Sequence, residues 1–425
     1  MSSAENTAES KPAFLRSSPL RTLLLAVAIT AAQIALAALS GKGATWTERY
    51  MSLCTWDGGW YSDIVDRGYH ISSPLTASNV AFFPAYPLLA RTLAQVTNLS
   101  TPTALLVTSQ LAALGFWWAL LRILRRWQVG PTVTLAAVML MFSHPGAFYF
   151  VVSYAESLFL LALVLFISCG RRARRSFLWM LVAAAAGYLM SATRVVGAPL
   201  AAIPALWAWQ DFRALQTEAR GIVARALRMW PHAFVAIATA SGAISFFIFC
   251  AVRFGHWDQY VRSRAAGWGV VKTDYSATFQ LEHLRIFVPR FADDFISPID
   301  IGHLNVAFLI LGLILIPLID YLLRRRGHLT GIDERIVLYV AAWVLFFVGA
   351  AGSGLPQQSY VGYIRYSLPN SVLLVLALAH AHRHSRFRDA PLPLAVQVAI
   401  FLAAAICLGL QLQFCSRYTH GVMVG

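Results

Sequence analysis

Apolar runs of membrane-spanning length recur from one end of this chain to the other, and no other feature limits its fold so severely. The runs are Thr22–Leu39, Thr103–Leu121, Thr132–Phe150, Tyr154–Cys169, Phe177–Thr193, Val195–Trp209, Ala233–Val252, His303–Leu322, Ile336–Ala351, Ser367–Ala381 and Leu392–Leu410. A helix needs about 17 to 25 apolar residues to cross a bilayer, so they read as about eleven spans. Hydrocarbon offers no partner to a backbone N–H or C=O, and an isolated apolar run satisfies those groups internally only as a helix. The expected fold is therefore an all-α polytopic membrane protein. Several runs are short, and the stretches around Ser143–Glu156 and Ala192–Pro199 are open to a re-entrant or tilted path.

Composition excludes the soluble alternatives. Hydrophobic residues make up 58% of the chain and charged residues 12%, against about a quarter charged in a soluble domain. The net charge of +15 does not form the basic stripe of a nucleic-acid binder, because the arginines come as short clusters between apolar runs. Lysine occurs only at Lys11, Lys42 and Lys272, and arginine and alanine dominate, a composition in keeping with a bacterial plasma membrane. Cys54, Cys169, Cys250, Cys407 and Cys415 lack the paired spacing of a zinc site and read as structural, with a Cys54–Cys415 pairing left open.

Orientation follows from arginine. Arg122, Arg125 and Arg126, then Arg171 to Arg175, then Arg213, Arg220, Arg225 and Arg228, then Arg324 to Arg326, then Arg383, Arg386 and Arg388 mark every second connection. The positive-inside rule makes these cytoplasmic. Residues 1–21 form a cytoplasmic tail without a convincing cleavage site, so the first run is a retained span. Residues 22–411 form the membrane domain and 412–425 an extracytoplasmic tail. The opposite face carries the long connections 40–102 and 254–302 and shorter ones around Ser143–Ser153 and Gly352–Tyr366, rich in Trp, Tyr and Phe. Loops this long are commonly functional, and these are too aromatic to be disordered.

The stretch Trp56-Asp57-Gly58-Gly59-Trp60-Tyr61-Ser62-Asp63-Ile64-Val65-Asp66-Arg67-Gly68-Tyr69, followed by Ala81-Phe82-Phe83-Pro84-Ala85-Tyr86-Pro87, carries the most chemistry. A carboxylate among aromatic rings and shielded from bulk water is what a general base requires. The plain alternative is that Asp57 caps a short helix over Gly58–Arg67, closed by Gly68 and braced by an Asp63–Arg67 pair. The rings alone would suit an interfacial belt.

These two segments, Tyr154-Ala155-Glu156-Ser157-Leu158-Phe159, Ala192-Thr193-Arg194-Val195-Val196-Gly197 and Tyr363-Ile364-Arg365-Tyr366 with Pro369 resemble, in order, the motif blocks of the phosphatidylinositol-glycan class V type mannosyltransferases. His70-Ile71-Ser72-Ser73 departs from that pattern where the family often has an acid, and Val195-Val196 departs where it has glycine and serine. The acceptor site is thus the part that transfers least.

The resemblance implies a C-type glycosyltransferase fold and an enzyme that moves mannose from polyprenyl-phosphate-mannose to a lipid-linked or cell-envelope glycan on the extracytoplasmic face, with inversion. It implies Asp57 as general base and Arg194 and Arg365 as donor-phosphate ligands. Trp56, Arg67, Tyr69, Tyr86, Tyr154, Glu156 and Tyr363 are expected around the substrates, with no metal and no cofactor. A phosphate leaves as an anion and needs charge stabilisation, unlike a sugar oxygen, which must be protonated. Arginines at span ends are otherwise snorkelling anchors, and Glu156 otherwise an ordinary ion-pair partner. Arg67, Arg262, Arg264 and Lys272 are further phosphate candidates, each more often solvated in a loop. His256, His283 and His303 show no metal spacing, and Asp293-Asp294 has no other ligands in view. The alternative from another class is a transporter or flippase of polyprenyl-linked glycans, which would place charges near the middle of the bilayer and show related halves.

Overall fold

A computed structural model describes residues 19–71, 76–215, 221–268, 291–292, 295–296, 298–330, 333–353 and 362–422. Lys272, Arg220, His283 and Asp293-Asp294, with most of the 254–302 connection, lie outside the described residues.

Helices dominate: α1 (Pro19–Leu39), α2 (Trp46–Met51), α3 (Asp57–Arg67), α4 (Ala85–Thr97), α5 (Thr101–Arg126), α6 (Pro131–Ser143), α7 (Glu156–Gly170), α8 (Phe177–Thr193), α9 (Ile203–Ala214), α10 (Ile222–Leu227), α11 (Trp230–Phe254), α12 (Gln259–Trp268), α13 (Pro298–Arg325), α14 (Asp333–Ser353), α15 (Tyr363–Tyr366), α16 (Leu368–Arg383) and α17 (Leu394–Thr419). A two-residue antiparallel ladder, Phe291–Ala292 with Phe295–Ile296, is the only sheet among the described residues. The chain is an all-α, multi-pass membrane protein. Among the described residues six helices are long and apolar enough to cross a bilayer: α1, α5, α11, Leu304–Arg325 of α13, Tyr363–Arg383 through α15 and α16, and α17. Their outward faces are large and apolar, as with Ile237, Ile248 and Val252 on α11 and Phe308 and Ile319 on α13, all more than half exposed. A solvent of lipid removes the penalty for that surface.

Three of the expected spans form helices of 13, 15 and 17 residues, shorter than these six, and local sequence sets their ends. Thr132–Phe150 stops being α-helical at Ser143, because His144 precedes a proline and takes an extended ψ of 133°; a 3-10 turn then covers Ala147–Phe150. Helix α7 begins at Glu156, and α8 ends at Thr193 where Arg194 turns extended. Val195–Trp209 is not one helix: Val195–Ala202 winds as 3-10 around Pro199, and α9 starts at Ile203 with Pro204 in its first turn. Helix α17 continues beyond Leu410 to Thr419 and buries Phe414, Cys415 and Tyr418.

The core is a bundle in which α8 lies against both α7 and α11, α5 packs on α7 and α1, and α14 packs on α16. Close approach of α8 and α11 depends on Gly242, where an added Cβ would lie 2.2 Å from Ser191 Oγ and from Tyr188 O. Two charged braces tie the arginine-rich ends together. Asp211 accepts from Arg171 (2.6 Å), Arg174 (3.0 Å) and His232 (3.0 Å). Burial alone would raise its carboxyl, but the His232 hydrogen bond and the two arginines bring it down to about 2. Arg335, fully buried, grips Asp320 through Nε (2.9 Å) and Nη2 (3.1 Å), with Tyr339 and His380 beside it, and so joins α13, α14 and α16. All five cysteines are free.

Candidate functional site

Asp57 is the first residue of α3, not its cap: the residue before it, Trp56, takes φ 52° and offers no side-chain cap. Positive φ is strained for a bulky side chain, and such residues persist where surrounding contacts fix them. Trp56 Nε1 donates to Tyr418 O at 3.2 Å, and the Tyr418 hydroxyl donates to Thr55 O at 3.0 Å, so the last helix holds this turn from behind. The Asp57 N–H donates to the Tyr154 hydroxyl at 3.3 Å. The next residue has to be glycine, because a Cβ on Gly58 would stand 2.1 Å from Ser153 Oγ. Helix α3 runs to Arg67 and closes on Gly68 at φ 76°, with Asp63 and Arg67 paired on its outer side.

The Asp57 carboxylate accepts from Arg365 Nη1 at 2.6 Å across 308 residues of sequence. Arg365 Nε lies 3.3 Å from Glu156 Oε1, close enough for ion pairing, but it makes no hydrogen bond and is left as a buried donor without an acceptor. Glu156, only 4% exposed, is also paired with Arg194 Nη1. Two carboxylates and two arginines thus form one chain of contacts, Asp57 to Arg365 to Glu156 to Arg194. Tyr366 lies against both cations: Arg194 Cζ stands 4.8 Å and Arg365 Cζ 5.1 Å from its ring centre, while Tyr154 and Tyr149 sit at 5.2 Å and 5.9 Å from Arg365.

These groups face an open cavity of about 570 Å³. Asp57, Glu156, Arg194, Arg365 and Arg264 line it, with Tyr61, Phe82, Phe83, Trp268 and Tyr366 as aromatic walls. Arg264 comes from α12, in the second long connection, and hydrogen-bonds Tyr366. Helix α12 is seated by a Ser78–Ser263 hydroxyl contact of 2.9 Å and by Tyr260 on Phe83. Trp268 packs edge-on against Trp60 and Phe82 at the cavity mouth. Three guanidiniums therefore confront two carboxylates, leaving the cavity wall with an excess of positive charge.

The structure brings together Asp57, Glu156, Arg194 and Arg365, one or more residues from every block singled out in the sequence, with Tyr154 touching Asp57 and Arg365. Other candidates stand away from the cavity. Trp56 lies behind Asp57; Arg67 projects into solvent; Tyr69 donates to Phe82 O at 2.9 Å and packs on Phe246 and Phe249. Tyr86 is buried on Leu105 O at 2.8 Å, and Tyr363 donates to Phe346 O at 3.4 Å. Arg262 is exposed and paired with Asp258. Tyr366 and Tyr149 were not anticipated from sequence; the one signal was the aromatic residue directly after Arg365. Among the described residues no three His, Cys, Asp or Glu side chains converge.

Fold and site together define a multi-pass helical membrane protein with a buried arginine–carboxylate cluster at the mouth of a cavity. No family model matches the chain, and no curated protein matches it. Solved structures do resemble it. One is the archaeal oligosaccharyltransferase AglB from Archaeoglobus fulgidus in complex with an inhibitory peptide and a dolichol-phosphate, at 13% identity and a TM-score of 0.46, covering 94% of this chain and 56% of that one. Another is the Archaeoglobus fulgidus oligosaccharyltransferase in complex with Zn and sulfate, at 15% identity and a TM-score of 0.48, covering 91% and 53%. The chain spans about half the length of these proteins. Likeness at this level assigns no activity.

Proposed function

We propose that this protein is a membrane glycosyltransferase of the C type that transfers mannose from polyprenyl-phosphate-mannose to a lipid-linked or cell-envelope glycan on the extracytoplasmic face. The observation that carries the reading is the charge balance of the cavity, where Arg194, Arg264 and Arg365 face Asp57 and Glu156. A sugar phosphodiester is an anion, and this excess of positive charge suits it.

In this reading the phosphodiester binds among the arginines and takes up the unpartnered Nε of Arg365. That draws Arg365 away from Asp57 and frees a carboxylate to accept the proton of the acceptor hydroxyl. The hydroxyl oxygen attacks the anomeric carbon from the side opposite the phosphate, the bond to the phosphate oxygen breaks, and the sugar is inverted. The leaving group becomes a phosphate monoester whose added charge the three guanidiniums stabilise. Glu156 keeps Arg194 and Arg365 at a fixed separation.

The extracytoplasmic placement is supported by helix polarity. Helix α7 has Glu156 at its start and α8 has Arg194 just past its end, while the Arg171–Arg175 cluster joins their other ends. The test is sugar transfer from polyprenyl-phosphate-mannose to membrane lipid and glycan acceptors by purified wild type and Asp57→Asn. Transfer that survives in Asp57→Asn removes the base assignment. Wild-type protein that is folded and transfers nothing removes the donor.

A further inference from the structure

A groove of about 330 Å³ lies between α6 and the start of α17. It is far from the charged cavity, because α17 runs the length of the bundle before its Tyr418 backs the Asp57 turn. Every residue that α17 buries lies at or beyond Ala404. The first part of the helix therefore stands off from α6 and leaves a slot. Leu135, Ala136 and Met139 form one wall, and Leu394, Val398 and Phe401, spaced four and three apart on one helix face, form the other. Leu135, Leu394 and Phe401 are each at least 60% exposed, so the slot is open to the lipid-facing surface.

One end of the slot meets basic chain. Thr132 lines it in the first turn of α6, and four residues earlier Gln128 accepts from Arg383 Nη2 at 2.6 Å. That bond anchors the segment Arg383–Asp389, which holds three arginines against one aspartate and leads through Pro391 and Pro393 into α17. Arg388 pairs with Asp389 in the open, where such a contact is weak. Gln128 is neutral and leaves the charge of Arg383 in place. Basic residues at the mouth of an apolar groove between membrane helices suit an anionic lipid headgroup, with an acyl chain lying in the groove.

We propose that this groove binds an anionic phospholipid, its acyl chain between α6 and α17 and its phosphate at Arg383 and Arg388. Charge complementarity selects this occupant over a second apolar helix, which would cover the slot but bring no anion to the arginines. The site is separate from the sugar-transfer cavity and independent of the donor proposed there.

The experiment uses the full chain, delipidated in detergent, with dioleoyl-phosphatidylglycerol or dioleoyl-phosphatidylcholine added and bound lipid counted by native mass spectrometry. The two share their chains and differ in net charge. The anionic lipid is expected to bind at least about tenfold more tightly, since each arginine near a headgroup contributes a factor of about five. Ala136→Phe fills the slot and should weaken that binding by at least about tenfold. Arg383→Gln with Arg388→Gln should remove the preference, and Ile237→Phe on the exposed face of α11 should change neither. Equal binding of the two lipids by wild type, or full binding by a folded Ala136→Phe, overturns the site. So does a dimer that Ala136→Phe abolishes and neither lipid displaces, which gives the groove to a second copy. Where Ala136→Phe does not fold, a photoreactive acyl chain on the anionic lipid decides. Saturable labelling of α6 or residues 392–401 that the double arginine variant loses upholds the site, and labelling elsewhere overturns it.

Discussion

At the scale of single residues, the site is a competition for Arg365. Asp57 and Glu156 hold it in the free protein, and in the proposed reaction the donor phosphate must share it. Two outcomes follow. Asp57→Asn removes the proposed base but also relieves Arg365 of a competing charge, so turnover is expected to drop by about 10²- to 10⁴-fold while affinity for prenyl phosphate holds or rises. Turnover with radiolabelled donor and equilibrium binding of prenyl phosphate read the two separately; weakened binding in this variant would contradict the competition. Arg264→Ala removes a charge-assisted contact worth about 1.5 to 3 kcal/mol, which should weaken prenyl phosphate binding by roughly tenfold to a hundredfold. Unchanged binding would return Arg264 to a structural role with Tyr366. Sequence reading reached Asp57, Glu156, Arg194 and Arg365 through their motif blocks. It could not separate Arg264 from Arg262, two positions apart on α12, because which of them faces the cavity depends on how the helix is seated on Ser78 and Phe83.

At the scale of elements, short and broken helices build the site, and long ones surround it. The proline after His144, the extended Arg194 and the 3-10 turn around Pro199 all interrupt apolar runs next to the charged cluster. Apolar run length is blind to these interruptions: Thr132–Phe150 read as one span but is α-helical only to Ser143, and Val195–Trp209 divides at Ile203, whereas Phe177–Thr193 coincides with its helix. The Arg335–Asp320 pair is the contrasting case, a charge pair with no route to the cavity. Arg335→Met leaves Asp320 buried and unpaired and is expected to cost about 3 to 5 kcal/mol, whereas the Asp320→Leu, Arg335→Met double variant should recover most of it. Thermal unfolding in detergent measures both, and a mild single variant would show that water reaches the pair.

At the scale of the whole molecule, one end of α7 and α8 carries the charged cavity and the other end carries arginine-rich turns. Positive-inside bias then predicts opposite exposure for two engineered cysteines in a cysteine-free background, one in the Arg171–Arg175 turn and one at exposed Gly59. An impermeant thiol reagent applied to intact cells should modify Gly59→Cys and spare the turn. The reverse pattern would invert the topology and place the site on the cytoplasmic face.

Sequence alone determined that the chain must be helical and live in a bilayer, since 58% hydrophobic residues in spanning-length runs admit no soluble packing. It also singled out Asp57, Glu156, Arg194 and Arg365 as candidates, because a carboxylate among aromatics and arginines at span ends are local patterns. Tertiary structure alone decided that Arg365 donates a hydrogen bond of 2.6 Å to Asp57, 308 residues away. It also decided that Tyr69, Tyr86 and Tyr363 spend their hydroxyls on backbone carbonyls outside the cavity. The physical reason is that a side chain's partner is fixed by how helices pack, and packing sums many small apolar contacts that no short motif records.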